Sequence, residues 1–168
     1  DEGEVFFDQK NLSELNDSER ADLRLHRIGF VFQAYNLIPV LTAFENIDYI
    51  LLLQKVDKFL RTRKVNDILQ EVGLTDKASN RPDELSGGQQ QRVAVARAIV
   101  TDPQVVLADE PTANLDSTTG RKLLEMMQQM NRAKNVTFIF ATHDPMVMDF
   151  ADRLVSLQDG RIVSDTAK

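Results

Sequence analysis

Two apolar runs of strand length constrain the fold of this chain more than any other feature. They are "QVVLAD" at 104–109 and "VTFIFATH" at 136–143. Continuous apolar runs are typical of parallel strands that are covered on both faces. A stretch with helical character, 117–133, lies between them. The pattern therefore predicts an α/β layered fold with a mainly parallel sheet.

Shorter signals predict the remaining elements. Thr42 with Glu45, and Ser86 with Gln89, have the spacing of a capping box, which predicts helices from 42 to about 55 and from 86 to about 100. Leu123, Leu124, Met127 and Met130 share one side of the helix at 117–133 and are expected in the core. The other expected elements are strands at 4–8 and 27–33, a polar helical stretch at 12–27, a helix at 59–72 ended by Gly73, and a hairpin around Asp159-Gly160.

Composition restricts the class of protein. A chain of 168 residues is long enough for one domain with a core. Its net charge of −6 disfavours a nucleic-acid partner, since such proteins usually present a basic face. The absence of cysteine excludes disulfides. The longest strongly apolar run, 49–53, is far shorter than the about 18–20 residues of a membrane helix.

The segment "LSGGQQQR", 85–92, is a candidate phosphate site. The start of a helix carries unpaired amides and partial positive charge, which suit an anion. Glycines allow close approach of the backbone and unusual dihedral angles. Ser86, Gly87, Gly88 and Gln89 are therefore candidates for contacting a phosphate. A capped helix after a Gly-Gly turn, without a ligand, is the alternative.

Polar residues follow three of the predicted strands. Asp109 and Glu110 come at the carboxyl end of a strand, where ligands bind in open α/β sheets. Asp109 fits a Mg²⁺ site, largely through water, and Glu110 fits a residue that polarises an attacking water. His143 and Gln33 end their strands in the same manner. Taken singly, these residues also fit an acidic turn, a structural histidine and a loop glutamine.

The order of the segments is more informative than any one of them. Along the chain come "FVFQ", a helical lobe, "LSGGQQQR", "VVLADEP", "ANLD" and "ATHD". In this order they resemble the Q-loop, signature, Walker B, D-loop and switch-histidine segments of the nucleotide-binding domain of ABC transporters. The segments "FVFQAYNLIPVLTAFENI" and "ADEPTANLDS" are similar in sequence to those of the family branch that serves lipoprotein-releasing and macrolide-exporting systems.

The resemblance implies a P-loop NTPase-like ABC ATPase fold with ATP and Mg²⁺ as cofactors. A RecA-like core would comprise 1–41 and 82–168, with an inserted α-helical subdomain at 42–81 and the signature, 85–92, at its end. The implied roles are catalysis for Glu110, His143 and Gln33, proximity to Mg²⁺ for Asp109 and Gln33, the D-loop for Asp116, and contact with a nucleotide held by another subunit for Ser86, Gly87, Gly88 and Gln89.

The implied partners are a second nucleotide-binding domain, in a head-to-tail dimer, and a transmembrane permease. The lobe at 42–81 and the loop at 36–39 would contact the permease. The domain would then lie in the cytoplasm, attached through its permease to the inner face of the cell membrane. We therefore expect an energy-coupling ATPase subunit for export or lipoprotein release.

One family motif does not occur in these residues. None of the seven glycines is followed by Lys-Ser or Lys-Thr, so the chain has no G-x-x-x-x-G-K-[ST] phosphate loop. "GEVFFD", 3–8, resembles the strand after that loop's helix, so we expect an N-terminally incomplete domain that does not hydrolyse ATP alone. We place the missing strand beside 104–109, and its loss predicts an uncovered strand edge and a marginally stable or oligomeric chain.

Two other functions stay open at this point. One is a nucleic-acid-linked ABC ATPase, which the short insert between Gln33 and Ser86, without sustained heptads, and the acidic charge disfavour. The other is a non-catalytic module whose signature only completes the site of another subunit.

Overall fold

A three-stranded parallel sheet forms the centre of the computed structural model, which describes residues 3–168. Residues 1 and 2 of the predicted core range lie outside the described residues. The predicted α/β fold with a parallel sheet is confirmed. The sheet has the order β3-β4-β5, and two antiparallel hairpins, β1-β2 and β6-β7, flank it in the sequence. The strands are β1 (Phe6–Phe7), β2 (Lys10–Asn11), β3 (Ile28–Val31), β4 (Val105–Asp109), β5 (Thr137–Ala141), β6 (Arg153–Gln158) and β7 (Arg161–Ala167).

The helices begin at side-chain caps. Both predicted capping boxes form: Thr42 Oγ1 accepts from the Glu45 amide at 3.2 Å, and Ser86 Oγ accepts from the Gln89 amide at 3.3 Å. Gly73, with φ +68°, follows α3 in the left-handed region as expected. The helices are α1 (Asp17–Arg27), α2 (Ala43–Leu53), α3 (Lys58–Glu71), α4 (Gly87–Ile99), α5 (Ser117–Lys134) and α6 (Pro145–Phe150).

Two regions differ from the sequence prediction. The strand expected at 4–8 is only two residues long, because Asp8 and Gln9 take positive φ and turn the chain back into β2. Helix α6 was not predicted, although Asp144 followed by Pro145 is a cap-and-first-turn signal. The hairpin around Asp159-Gly160 forms as predicted, with both residues at positive φ.

The hydrophobic core lies around α4, which contacts β3, α2, α3 and α5. Helices α2 and α3 belong to the same core as the sheet, and the division into a RecA-like core and a helical subdomain stays a prediction. The predicted side of α5 is buried as expected. The fully buried large residues include Ile47, Leu51, Leu69, Gln91, Ile99, Leu123, Leu124 and Met127.

The sheet is covered on one face only at β4 and β5, contrary to the prediction for two continuous apolar runs. Val106 and Ala108 are buried, whereas Leu107 is 36% and Ile139 53% exposed. The other wrong expectation concerns the strand placed beside β4, because β3 and β5 already pair with its two edges. An additional strand would have to pair with β3 or β5. Among the described helices, none is long and apolar enough to cross a membrane.

Candidate functional site

The ends of β4 and β5 meet at Glu110. Its amide donates to the Ala141 carbonyl at 2.9 Å, and its φ of +43° turns the chain out of the strand. Glu110 Oε1 accepts from His143 Nδ1 at 2.5 Å and from the His143 amide at 3.1 Å. Glu110 Oε2 accepts from Thr142 Oγ1 at 3.0 Å. The structure therefore brings together two of the predicted catalytic residues.

The contacts where β4 and β5 end, called the Glu110 corner below, favour the ionised form of Glu110. Burial raises the pKa of Glu110, but the hydrogen bonds from His143 and Thr142 lower it more, so the net pKa is below the ordinary value. An ionised carboxylate only accepts hydrogen bonds, so His143 Nδ1 is the donor. The Glu110 side chain is 19% exposed and that of His143 is 90% exposed. The imidazole Nε2 can therefore contact a ligand or water while Nδ1 stays bound to Glu110.

Thr142 extends this corner into a hydrogen-bonded network that sequence reasoning missed. Its Oγ1 accepts from the Asp144 amide at 3.0 Å while donating to Glu110. Asp144 Oδ2 accepts from Thr112 Oγ1 at 3.0 Å, and Asp144 Oδ1 accepts from the Met146 amide at 2.9 Å. The signal in the sequence was the order Thr-His-Asp-Pro, in which Asp144 caps α6. The network joins the turn after β4 to the start of α6.

Asp109 and Gln33 are exposed at the ends of β4 and β3. Gln33 is joined to the turn after β4 through its backbone, since Asn114 Nδ2 donates to the Gln33 carbonyl at 2.8 Å. Within residues 3–168, no group of three or more acidic, histidine or cysteine side chains is placed to hold a metal. One carboxylate and one amide still fit Mg²⁺, which keeps several waters and takes further oxygens from phosphates.

Two hydrogen bonds from Arg97 hold the loop after Gln33, and sequence reasoning missed this residue. Tyr35 and Asn36 both have positive φ. The Arg97 guanidinium donates to the carbonyls of Tyr35 at 2.9 Å and Asn36 at 2.5 Å. Burial lowers the pKa of Arg97 below its usual range, and the guanidinium stays charged because its ordinary pKa is so high. Helix α4 therefore holds the loop in a defined conformation.

The start of α4 carries Ser86, Gly87, Gly88 and Gln89. The Gln89 side-chain oxygen accepts from the Ser86 amide at 2.9 Å and is thus engaged in the cap. Neither glycine uses the dihedral angles that only glycine adopts readily, because neither has a positive φ. Both glycines lie close to neighbouring side chains: a Cβ on Gly87 would lie 2.9 Å from the Tyr35 hydroxyl, at the end of a side chain that can shift, and one on Gly88 would lie 2.5 Å from Thr119 Cγ2.

Asp116 caps helix α5. Its Oδ1 accepts from the amides of Thr118 at 3.1 Å and Thr119 at 3.0 Å. Hydrogen bonds from Thr119 are the largest cause of its lowered pKa. The predicted D-loop residue therefore orients the start of α5, which lies beside the start of α4 through the Gly88–Thr119 approach.

Comparisons with known proteins agree with this arrangement. The sequence model of the ABC transporter family matches residues 1–113. The macrolide export ATP-binding/permease protein MacB of Haemophilus ducreyi is 44% identical over 165 residues, which are 98% of this chain and 24% of MacB. The ABC transporter ATP-binding protein YtrE of Bacillus subtilis is 43% identical over 158 residues, which are 94% of this chain and 68% of YtrE.

A solved structure shares the fold. It is the ATP-binding cassette MJ0796 of Methanocaldococcus jannaschii, as a dimer in a post-hydrolysis state bound to ADP and Pi. The TM-score is 0.88 at 39% identity, over 99% of this chain and 73% of that chain. This chain thus spans about a quarter of the MacB length and more of the shorter relatives. The predicted family resemblance is confirmed: the chain belongs to the ABC transporter family and has the fold of its ATPase cassettes.

Proposed function

We propose that this chain is the ATP-hydrolysing part of an ABC transporter that drives export or lipoprotein release. The observation that carries the proposal is the hydrogen-bonded pair of Glu110 and His143 at the carboxyl ends of β4 and β5. In hydrolysis, water attacks the γ-phosphorus of ATP, and the bond to the β-phosphate oxygen breaks to give ADP and phosphate. Glu110, as an anion, accepts a hydrogen bond from that water and so orients it.

His143 and Thr142 keep the Glu110 carboxylate in place for this step. The exposed His143 Nε2 is free to approach a phosphate oxygen while Nδ1 holds Glu110. Asp109 and the Gln33 amide would hold Mg²⁺ largely through water, and the ion would neutralise charge on the phosphates. We propose further that the phosphates are bound by the backbone amides and lysine of a G-x-x-x-x-G-K-[ST] segment, the phosphate grip, which these 168 residues do not contain.

The start of α4 is proposed to serve a nucleotide held by a second nucleotide-binding domain in a head-to-tail dimer. Ser86 is exposed, and Gly87 and Gly88 are the first two residues of the helix, where amides have no partner within the helix. The dimeric state of MJ0796, which was solved with ADP and Pi, supports such pairing. In this chain, Gly87 and Gly88 also let α4 lie close to α5, which is capped by Asp116.

A groove of ≈ 480 Å³ beside β3 is proposed to receive a helix of the permease partner. Its walls come from α1, β3, the loop after Gln33, α2 and the end of α4, so it spans the boundary of the proposed helical subdomain at 42–81. The fusion of ATP-binding and permease parts named for MacB supports such a partner. The domain would act at the cytoplasmic face of the membrane. Aromatic and aliphatic lining residues include Phe30, Phe32, Ile38, Tyr49 and Ile50.

The decisive experiment measures ATP hydrolysis by the assembled transporter with wild-type chain and with Glu110→Gln. The substitution removes the anionic acceptor, so we expect turnover to fall by about 10²–10⁴-fold. ATP binding should persist, because Glu110 is not proposed to grip the phosphates. Exposed Glu125→Gln on α5 is the matched control and should hydrolyse ATP like the wild type.

Two outcomes would contradict the proposal. One is full turnover by Glu110→Gln, which would remove the role of this corner in hydrolysis. The other is Mg-ATP hydrolysis by the 168-residue chain alone, because it would show that the phosphate grip lies inside these residues. A chain extended upstream through a G-x-x-x-x-G-K-[ST] segment provides the comparison and is expected to bind ATP.

A further inference from the structure

Gln91 is a polar residue in the centre of the core. Its side chain is fully buried within α4, at 0% exposure. Nε2 donates to the Pro111 carbonyl at 2.7 Å. Oε1 is buried and has no hydrogen-bond partner in the described part of the chain. Buried polar atoms are normally paired, so this orphaned oxygen requires an explanation.

The carbonyl that Gln91 holds belongs to the turn that sets the direction of Glu110. Glu110 has a positive φ and precedes a proline, two conditions that are unfavourable together for a residue with a side chain. Such a conformation persists only where surrounding contacts determine it. The Ala141 carbonyl accepts from the Glu110 amide on the sheet side, and Gln91 on α4 donates to the Pro111 carbonyl, one residue further along the turn.

A hydrophobic side chain of the same length would fill the space of Gln91 without burying an unpaired oxygen. Its neighbours along α4, Val93, Ala94 and Val95, are fully buried and apolar. Packing alone therefore favours a residue such as methionine. What only the amide provides is the hydrogen bond to Pro111.

We propose that Gln91 is a positioning residue that links the start of α4 to the Glu110 carboxylate. Gln91 lies in the second turn of α4, just after Ser86, Gly87, Gly88 and Gln89. Helix α4 therefore carries two things. Its first residues are proposed to contact the nucleotide of the partner domain, and its Gln91 side chain is tethered by a hydrogen bond to Pro111, next to Glu110 of the same subunit. A displacement of the helix start moves the Pro111 peptide and with it Glu110. The catalytic part of this inference rests on the proposed function of Glu110.

The test replaces Gln91 by methionine, which keeps the volume and removes the donor. Gln90→Met is the matched control, because Gln90 Nε2 donates to the Leu85 carbonyl at 3.1 Å and does not reach Pro111. The chain has two histidines, so the imidazole resonances of His143 are readily resolved by NMR, with His26 as an internal reference. We expect Gln91→Met to shift the His143 ring nitrogens and leave His26 unchanged, whereas Gln90→Met changes neither.

The kinetic arm uses the assembled transporter. A misplacement of about 1 Å at a reacting group can cost roughly 10²-fold, so Gln91→Met is expected to lower kcat by about 10- to 100-fold. KM for ATP should stay near the wild-type value, since Gln91 touches no part of the proposed phosphate grip. A structural defect alone would instead reduce the amount of folded protein and leave kcat per active site unchanged.

The outcomes separate the two proposals. Unchanged His143 resonances in a folded Gln91→Met chain overturn the positioning role, whatever the activity. Shifted resonances with unchanged kcat support the tether and count against Glu110 as the water-orienting group. If Gln91→Met does not fold, the wild-type chain still gives a test through hydrogen exchange of side-chain amides. We expect Gln91 to exchange far more slowly than exposed Gln129, and equal rates would overturn the tether.

Discussion

The two sides of the central sheet are built differently. On the β3 side, α4 buries most of its residues against β3, α2, α3 and α5. At β5, Ile139 is 53% exposed, and β7, in the separate C-terminal hairpin, is exposed along its whole length. The helix that begins with the proposed nucleotide-contacting residues thus belongs to the well-packed side. The Glu110–His143 pair lies at the ends of β4 and β5, where the His143 side chain is 90% exposed.

The difference indicates what holds each half of the proposed site in place. Helix α4 is fixed by the burial of its residues from Gln91 onward, while its start is held by the capping box and lies close to Thr119 and Tyr35. The His143 side chain is 90% exposed, so hydrogen bonds rather than packing hold it beside Glu110. Burial of apolar surface is non-directional, whereas hydrogen bonds specify distances and angles. Small polar changes should therefore affect the second half most.

The largest expected effect compares two isoleucines, one on each side. Ile99 is 0% exposed at the end of α4, and Ile139 lies on the uncovered face of β5. Ile99→Ala should lower the free energy of unfolding by about 2–5 kcal/mol, because it leaves a cavity in the core. Ile139→Ala should cost about 0.5 kcal/mol or less, as for other exposed positions. Urea unfolding of the two variants beside the wild type measures both values.

Equal losses of unfolding free energy in Ile99→Ala and Ile139→Ala would contradict the contrast between the packed α4 region and the exposed face of β5. A large loss at Ile139 would mean that its face is buried in solution, for example against a second copy of the chain. Sedimentation of the wild type and of Ile139→Ala distinguishes this case, since only a self-associating chain would change its mass with concentration. An Ile139→Ala chain that stays monomeric and nearly as stable as the wild type supports the comparison.

A smaller effect tests the close packing at the start of α4. Gly88→Ala would place a Cβ 2.5 Å from Thr119 Cγ2. Overpacking of this kind costs about 1–3 kcal/mol, so the variant should unfold at lower urea concentration. Thr119→Ser removes the clashing methyl and keeps the hydroxyl, so the double variant should recover most of the loss.

The double-mutant cycle of Gly88→Ala and Thr119→Ser can also contradict the explanation by a steric clash. If Gly88→Ala is as destabilising in the Thr119→Ser background as in the wild-type background, the clash is not the cause, and the glycine is required for another reason. A coupling energy close to the whole loss would assign Gly88 to helix packing. Phosphate contact would then be an additional role of its backbone amide and would not by itself explain the glycine.

The sequence predicted the features that depend on short spacing. Both capping boxes, the glycine after α3 and the Asp159-Gly160 hairpin follow from local chemistry, and all of them form. The apolar runs that end in polar residues predicted a mainly parallel sheet, and β3, β4 and β5 form one, although their order was not predicted. The close approach of Glu110 and His143 was implied by the family resemblance, and the structure shows it.

Features that depend on tertiary partners could not be predicted. An apolar run shows that a strand is hydrophobic, but not whether both of its faces are covered, so the exposure of Ile139 was not predicted. Gln91 looks like any helix residue until α4 is placed beside Pro111. The position of a further strand beside β4 was wrong because strand order depends on long-range pairing, which no local pattern encodes.

The smallest expected effect concerns the exposed C-terminal hairpin. Arg153 donates to both carboxylate oxygens of Asp165, at 2.8 and 2.6 Å, and this hydrogen-bonded pair lowers the pKa of Asp165. A carboxyl group with a lowered pKa in the folded state stabilises that state above its unfolded pKa, which is about 3.9 for aspartate. The contribution is lost as the pH falls through the folded-state value.

Asp165→Asn should therefore lower stability slightly at neutral pH and bring no loss at strongly acidic pH, where the wild-type carboxyl is itself protonated. Solvent and salt screen an exposed pair, so the difference should shrink further in high salt. Thermal unfolding of both chains across this pH range, at low and high salt, measures it. A loss at neutral pH as large as that of Ile99→Ala would show that the hairpin is integral to the core, which would remove the contrast between the two sides of the sheet.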